Sequence, residues 1–506
     1  MEVHELGFPL GIRLTHWFNF LFMTMLIRSG MDIVSAFPKF YWNEGCVPGT
    51  EWLSLARKKM PEGELWTSYD EMEDWPTWLA LPGGSKFGLG RSWHFATAIG
   101  WTFTGLLYVA ALFASDQWHR LVPTSWQVFP DALATANDYL HLRLQHPGEK
   151  GDGHQPFNAL QQLTYFGVVF LLAPFQIVTG VGQSPAVEAH FVRARRLLGG
   201  RQGARSLHLI GTVLFLGFLV GHVAMVLLHG WAAEMDRMIF GVTHGRGSAA
   251  AGWAGVGILV AVFLANWAAT RVSWAAPRRA ADVLDPIVAP FRMTFLHRIY
   301  PRYQFADSEI SPFMRINGRP PTAEYATTRS DEYIRLMEGG FADWRLDVGG
   351  LVESPLRLSI DEIRALPRTD QTTLHNCVQG WTAVAKWGGV PLAEVIDRCR
   401  PTPGARYVVL HSHQRYEEGG GKEEFYETID LELARHPQTI LAFEMNGRPL
   451  TIPHGAPLRL RVETVLGYKM VKWLRSIEFV ADYRALGAGR GGSREDGQLM
   501  GRGAEI

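Results

Sequence analysis

The chain has 506 residues, 49 basic and 49 acidic side chains and a formal net charge of zero. That length calls for two or three domains, and the balance gives no global electrostatic case for nucleic acid or an acidic substrate. Three cysteines, Cys46, Cys377 and Cys399, exclude a disulfide-stapled scaffold and a cysteine-held iron–sulfur cluster. The first half is rich in Leu, Phe, Trp and Gly with long uncharged runs; from about Arg278 onward the chain is mixed and charged, like a globular domain.

No short apolar segment with a small-residue cleavage site opens the chain, so no cleavable signal peptide is expected and the first apolar run would direct insertion. Five runs are long enough to span a bilayer, which takes about 20 apolar residues. They lie near Ile12–Ile33, Trp93–Ala114, Leu160–Val181, Ser206–His229 and Gly252–Thr270. Arg28, near the end of the first, is placed to snorkel to the interface. The connection from Asp32 to Gly90 is Trp-rich and acidic at its centre ("EGELWTSYDEMEDW"), with room for short interfacial helices. A linker, "RVSWAAPRRAADVLDPIVAP", follows the fifth run. Beyond it, "WRLDVGGLV", "ARYVVLHS" and "PLRLRVET" read as strands, and "SIDEIRAL" as a helix start with a serine cap and an acidic first turn. The tail "GAGRGGSREDGQLMGRGAEI" reads as disordered. These limits divide the chain into 1–275, a linker 276–305, 306–485 and a tail 486–506.

Four histidines stand in the apolar runs: His16, His94, His208 and His222. A polar ring inside hydrocarbon is costly unless paired or ligated. His208 and His222 are fourteen residues apart, about 3.9 helical turns, so they point nearly the same way roughly 21 Å from one another. If the helices alternate direction, His94 and His208 fall at one level and His16 and His222 at the other. Two levels with two imidazoles each is bis-histidine ligation of two stacked b-type haems. Arg13, Arg91 and Arg205 each precede a histidine by three residues, one turn, where a guanidinium would meet a haem propionate. Gly211, Gly217 and Gly221 would let a flat macrocycle approach the helix. His229, seven residues beyond His222 on the same face, competes with it for the ligand role.

With "RLTHW", a histidine opening the second run, "NALQQLTYFGVVFLLAPFQIVTG" and the H-x13-H run, the first 230 or so residues resemble the di-haem b-type cytochrome subunits that serve Ni/Fe-hydrogenases and formate dehydrogenases. The resemblance implies that the four histidines ligate two haems exchanging electrons with quinone or quinol. A fifth span is additional.

In the second half, Cys377 follows a strand in "TTLHNCVQGWTAVAKWGGVPLAEVI". Taken alone, such a thiol reads as inert and buried; Cys399 stays in that class, and Cys46 stands in a loop. The pattern C-x-Q-G-W…W-x-G-V-P-L, with "AFEMNGRPLTIPHGAPLRLRVETVLGYKMVKWLRSIEF", resembles the sulfite oxidase family of molybdopterin enzymes, closest in flavour to bacterial protein-methionine-sulfoxide reductases. The likeness runs from about Ser311 to Phe479. It implies that Cys377 binds molybdenum, a soft thiolate suiting an oxo-transfer metal. It implies that the pterin is held by Ser412, His454, Arg459, Gly467, Tyr468 and Lys469, with Asn317 on its other side. Arg459 and Lys469 suit the phosphate on charge alone. Two departures stand out. Animal and plant sulfite oxidases follow the cysteine with Gly-Asn-Arg, whereas Val378, Gln379, Gly380 and Trp381 follow it here, without a cation to gather sulfite. His454 replaces an asparagine usual in the sulfoxide reductases.

The expected whole is an all-α transmembrane bundle of about five spans fused to a mixed α/β, sulfite-oxidase-like molybdopterin domain. It would be a multi-pass membrane oxidoreductase of a bacterial inner membrane, relaying electrons between quinol, two haems b and Mo-molybdopterin. The missing arginine favours reduction of an S- or N-oxide such as methionine sulfoxide. The alternatives are a sulfite-type dehydrogenase running toward quinone and a cytochrome whose second domain only binds. The cytochrome resemblance implies a molybdenum domain outside, whereas the Arg193–Arg205 loop with Arg271, Arg278 and Arg279 places it inside by the positive-inside rule.

Overall fold

The computed structural model describes residues 7–59, 63–141, 143, 157–242, 247–295, 301–417 and 420–499. The chain forms two compact units. The first comprises Met1–Arg28, Trp93–Val181 and Leu207–Arg271, and the second Ser29–Ser92, Gly182–Ser206 and Val272–Ile506.

Among the described residues, five helices are long and apolar enough to cross a membrane: Leu10–Ala36, Phe87–Ala114, Ala159–Val181, Gly200–Phe240 and Ala249–Ala275. They correspond one to one with the predicted spans and run past them at most ends, because polar and glycine-bearing turns extend a helix without adding hydropathy. Phe103, Phe263 and Val220 are 60%, 66% and 70% exposed, an outward apolar surface that only lipid tolerates. The third span starts with a capping box between Asn158 and Gln161. It widens into a π-helical stretch over Gly167–Leu172, ahead of Pro174, whose missing N–H disturbs the hydrogen-bond ladder. The fourth is broken at Gly230, with φ 105° and ψ 99°, a conformation glycine alone adopts easily.

Arg28 does not snorkel. It donates to Asn266 Oδ1 at 3.0 Å and Thr270 Oγ1 at 2.8 Å, while Asn266 Nδ2 donates to Thr24 Oγ1 at 2.9 Å. A guanidinium satisfied within the bundle needs no route to the interface, and the same bonds fasten the fifth helix to the first.

The second unit holds the strands. In chain order these are β1 (Lys39–Phe40), β2 (Leu53–Ser54), β3 (Arg345–Gly350), β4 (Leu356–Ser359), β5 (Thr369–Asn376), β6 (Thr382–Pro391), β7 (Tyr407–Arg415), β8 (Glu424–Asp430), β9 (Thr439–Met445), β10 (Arg448–Pro449), β11 (Arg459–Val462) and β12 (Leu474–Val480). One five-stranded sheet runs β10-β9-β6-β5 with β11 also on β9; another runs β4-β3-β12-β7-β8. β12 and β3 pair in parallel, and the other strand pairs of the described residues are antiparallel. The predicted strands are β3, β7 and β11, and the predicted helix start is Ile360–Arg364, capped by a Ser359–Glu362 box. Trp344, Trp381, Leu460 and Phe479, each at most 1% exposed, help fill the core between the sheets.

Three stretches differ from their sequence reading. The described residues of the Asp32–Gly90 connection hold no short interfacial helices between the two spans; its acidic centre is drawn to arginines, Asp70 to Arg319 at 2.7 Å and Glu71 to Arg315 at 3.1 Å. The linker is largely helix, Pro277–Phe295. Ala280, Ala281, Leu284 and Val288 are buried along one face, a helical period masked by arginines and prolines. The tail is ordered as far as Leu499, and Ser493–Gln498 is helical with Ser493, Arg494 and Glu495 buried. Its charges are specific partners, not solvating ones; residues 500–506 lie outside the described residues.

Candidate functional site: two imidazole pairs and a cationic cavity beside Cys377

The four histidines of the spans come together as two pairs. His16 faces His222 and His94 faces His208, each with ring centroids 6.3 Å apart and ring planes inclined at 59° and 75°. Metal-bound imidazole nitrogens sit about 2 Å from the metal, so two rings on opposite sides of one iron have centroids roughly 6 Å apart. The spacing therefore fits a bis-histidine haem at each level. His208 Nδ1 lies 3.2 Å from both Gln176 O and Thr179 Oγ1, which places its proton on Nδ1, and its Nε2 lies 3.2 Å from Gln176 Nε2. His222 Nδ1 stands 3.4 Å from Tyr165 OH. His229 instead turns Nδ1 to Met225 O at 2.9 Å and sets its ring against Tyr139. A Cβ at Gly217 or Gly221 would meet nothing within 4 Å, whereas Gly211 is already covered by Gln176 and Phe175.

The arginines are distributed differently. Arg13 donates to Ile239 O. Arg205 is buried in the second unit, donating to Phe37 O and to Lys39 O at 2.6 Å with its guanidinium over the Phe40 ring. Its fork is filled by backbone, so it clamps the chain rather than facing a propionate. Arg91 is also in the second unit and acts electrostatically on Tyr468.

Cys377 opens the five-residue loop of the β5–β6 hairpin, flanked by the Asn376–Thr382 pair. Its N–H donates to Trp381 O at 3.0 Å and its carbonyl accepts from Gly380, which needs φ +117°. Arg201 Nη1 reaches Cys377 O at 3.3 Å and Gln202 Nε2 reaches Gly380 O at 2.8 Å, bracing the loop. Burial pushes the Cys377 thiol up to about 12, so it is a poor nucleophile by itself. Binding to a metal is what deprotonates such a sulfur. Asn317 Nδ2 lies 3.9 Å and Gln379 Oε1 3.5 Å from Sγ.

Beside this loop is a cavity. Asn317, His454, Arg459, Gly467 and Tyr468 line it as the sequence reading expects; so do His375, Lys472 and Arg494, which that reading missed. Ser412 and Lys469 are not among the lining residues. Ser412 Oγ is bound to Lys472 O at 2.7 Å and to Gln414 N at 3.0 Å. Lys469 is held by Glu427 at 2.8 Å and by Glu495. "YKMVKWL" offers two lysines three apart, and sequence spacing could not say which one faces inward.

The cavity is built for an anion. Burial and the neighbouring Arg459 and Arg494 hold Lys472 far below its ordinary range, and burial with Arg461 does the same to Arg459. Lys472 Nζ reaches the carbonyls of Pro453 and Gly318 at 2.9 and 3.4 Å. Arg459 Nε is buried without a partner. Crowded, partly unsatisfied cations are stabilised by a bound phosphate. Gly467 admits the His375 ring so closely that a Cβ would meet it at 2.3 Å. These residues fit a phosphate-bearing pterin whose metal meets Cys377.

The comparisons with known proteins agree with both halves. Residues 7–241 match the prokaryotic cytochrome b561 family, and residues 335–485 the oxidoreductase molybdopterin binding domain. The provisionally named protein-methionine-sulfoxide reductase subunit YedZ1 of Azospira oryzae is 35% identical over 153 residues, 30% of this chain and 54% of that protein. The protein-methionine-sulfoxide reductase catalytic subunit MsrP of Xanthomonas axonopodis pv. citri is 34% identical over 164 residues, 31% and 51% of the two chains. The MsrP of Campylobacter jejuni is 30% identical over 167 residues, 31% and 56%. The chain spans about half the length of the curated relatives it matches. It is a multi-pass membrane protein in which a region similar to prokaryotic cytochrome b561 is followed by a region that matches the oxidoreductase molybdopterin binding domain.

Proposed function

We propose that the protein is a membrane oxidoreductase that takes electrons from quinol, carries them through two b-type haems and delivers them to a molybdopterin centre at Cys377, where a sulfoxide such as methionine sulfoxide is reduced. The observation that carries the reading is the combination, in one chain, of two imidazole pairs with 6.3 Å centroid spacing and a thiol beside a cationic cavity. His16 with His222, and His94 with His208, would each hold one haem. Cys377 would hold molybdenum, Arg459, His454 and Lys472 the phosphate end of the pterin, and Asn317, Gly467 and Tyr468 its nearer surfaces. Molybdenum bound there supplies oxygen-atom transfer; each turnover takes two electrons and two protons and turns a sulfoxide into a sulfide and water. The chain's own part is to orient the ligands, exclude water around the thiolate and neutralise the phosphate. The names of the relatives support the direction of reaction, and so does a hairpin loop without an arginine.

The test is pyridine-haemochrome quantification with elemental analysis for molybdenum on one purified sample. Two haems b and one molybdenum per chain are expected. Haem without molybdenum, from a host that makes the cofactor, would leave a cytochrome with a binding domain.

A further inference from the structure

His375 stands two residues before Cys377 on β5, opposite Ala383 of β6. It is 3% exposed and lines the cavity, and the proposed relay gives it no task. Its ring rests against Trp381, with centroids 5.0 Å apart and planes inclined at 36°. Its Cε1–Nε2 edge is turned to Gly467, where a Cβ would meet Cε1 at 2.3 Å and Nε2 at 2.5 Å. Gly467 lines the same cavity, and only a residue without a side chain leaves that edge of the imidazole its place there.

The other ring nitrogen decides what Nε2 carries. Arg461 Nη1 lies 2.8 Å from His375 Nδ1. A guanidinium donates and cannot accept, so Nδ1 is the acceptor and the imidazole proton stands on Nε2. Arg461 is itself held in place. Its Nε and Nη2 donate to Glu463 Oε1 and Oε2 at 2.9 and 2.8 Å, and its guanidinium lies 4.2 Å from the Trp387 ring centroid. Gln371 Nε2 donates to Glu463 Oε1 at 3.1 Å and steadies the carboxylate in turn. A buried chain of three side chains thus sets the tautomer of a fourth that faces the cavity. His375 Nε2 bonds nothing among the described residues. A buried N–H without an acceptor costs stability, and a ligand that brings the acceptor recovers it.

Arg459 and Lys472 line the cavity as well, and their charges suit the phosphate. A neutral imidazole N–H suits the other kind of acceptor a pterin offers, its ring nitrogens and carbonyl. We infer that His375 is a further cofactor-binding residue, whose Nε2–H, held in that tautomer by Arg461, donates to a ring acceptor of the pterin. The inference rests on the molybdopterin reading of the cavity. It also gives the Gln371–Glu463–Arg461 chain a purpose, since without it the imidazole proton is free to move to Nδ1.

Full-length His375→Asn and His375→Gln separate the two ends of the ring. The first keeps an acceptor where Nδ1 stands and is too short to replace Nε2; the second brings an amide N–H to the place of Nε2 and leaves Arg461 without its acceptor. Two quantities are read. One is the rate at which the loaded protein releases its cofactor, followed as molybdenum and as the fluorescent oxidation product of the pterin. The other is the unfolding midpoint of the full chain made in a host that lacks the pterin. In His375→Asn, release should quicken about 3- to 10-fold, the loss of one neutral hydrogen bond, with the midpoint unchanged. In His375→Gln, the midpoint should fall while release stays within about twofold of wild type. Wild-type release in His375→Asn would overturn the inference. So would release that follows the midpoint, faster in His375→Gln than in His375→Asn, because His375 would then only support the fold. If His375→Asn does not keep its haems, His375→Gln decides alone, and release quickened beyond twofold overturns the inference. A wild type devoid of molybdenum and pterin would overturn the reading beneath it, whereas a loaded wild type with unaffected His375→Asn overturns the inference alone.

Discussion

The two candidate centres are built in opposite ways. In the first unit each imidazole pair joins two helices directly, and depth in an apolar run decides which imidazoles meet. In the second, the surroundings of Cys377 are gathered from residues 317, 379, 454, 472 and 494, and no periodicity connects them. A centre made of helix depth is modular, so one pair should survive loss of the other. A centre gathered from distant loops should be sensitive to anchoring far from the sulfur.

The largest effect expected from this contrast is at Cys377. Cys377→Ser should abolish sulfoxide-dependent turnover while the haem content, read by pyridine haemochrome, stays at the wild-type level. Next come the imidazoles. His16→Ala and His222→Ala should each remove the same half of the haem absorbance, and His94→Ala or His208→Ala the other half. A double substitution within one pair should cost no more haem than a single one, and a double across pairs should lose all of it. His229→Ala should leave the spectrum unchanged.

Stability gives finer tests. Arg461 and Glu463 form a fully buried ion pair at 2.8 Å, with Arg461 Nη1 also donating to His375 Nδ1 at 2.8 Å. Glu463→Ala strands a buried guanidinium and should cost about 3–5 kcal/mol, read as a fall in the unfolding midpoint with both haems retained. His413 is held down to about 4 by burial, with Arg475 adding to it, beside Glu332 at 3.7 Å. Its unfolded form titrates near 6.5. The unfolded state therefore takes up more protons, and stability is lost as pH falls from about 6.5 towards 4, by up to about 3 kcal/mol. Burial lowers His375 and His454 as well, with the same sign. Denaturation across that window should show the slope, and His413→Leu should flatten it. The smallest effect is in the membrane: Thr270→Ala removes one of the Arg28 bonds and should cost about 0.6 kcal/mol, as interhelical hydrogen bonds in membranes do. It should appear as a small midpoint shift in detergent.

Legibility follows the same contrast. The spans, the imidazole levels and strands such as β3 and β7 rest on local periodicity, which a sequence displays. Cys377 and Arg459 are legible through their motif. What stayed hidden depends on tertiary choice: which of Lys469 and Lys472 turns inward, that Arg205 is used by the carbonyls of residues 37 and 39, and that a glycine-rich tail carries Arg494 into the cavity. The acidic centre of the connection between the first two spans reads as room for short interfacial helices until Arg315 and Arg319 are seen to hold Glu71 and Asp70. In each case the deciding partner is remote in sequence or is a backbone atom, and neither leaves a trace in spacing.

The most direct test of the relay is a stopped-flow measurement on protein whose haems have been reduced anaerobically and then mixed with methionine sulfoxide. The expected result is reoxidation of the haem α-band in wild type and none in Cys377→Ser. Haems that stay reduced in a wild-type sample containing its full molybdenum would contradict electron delivery from the imidazole pairs to Cys377.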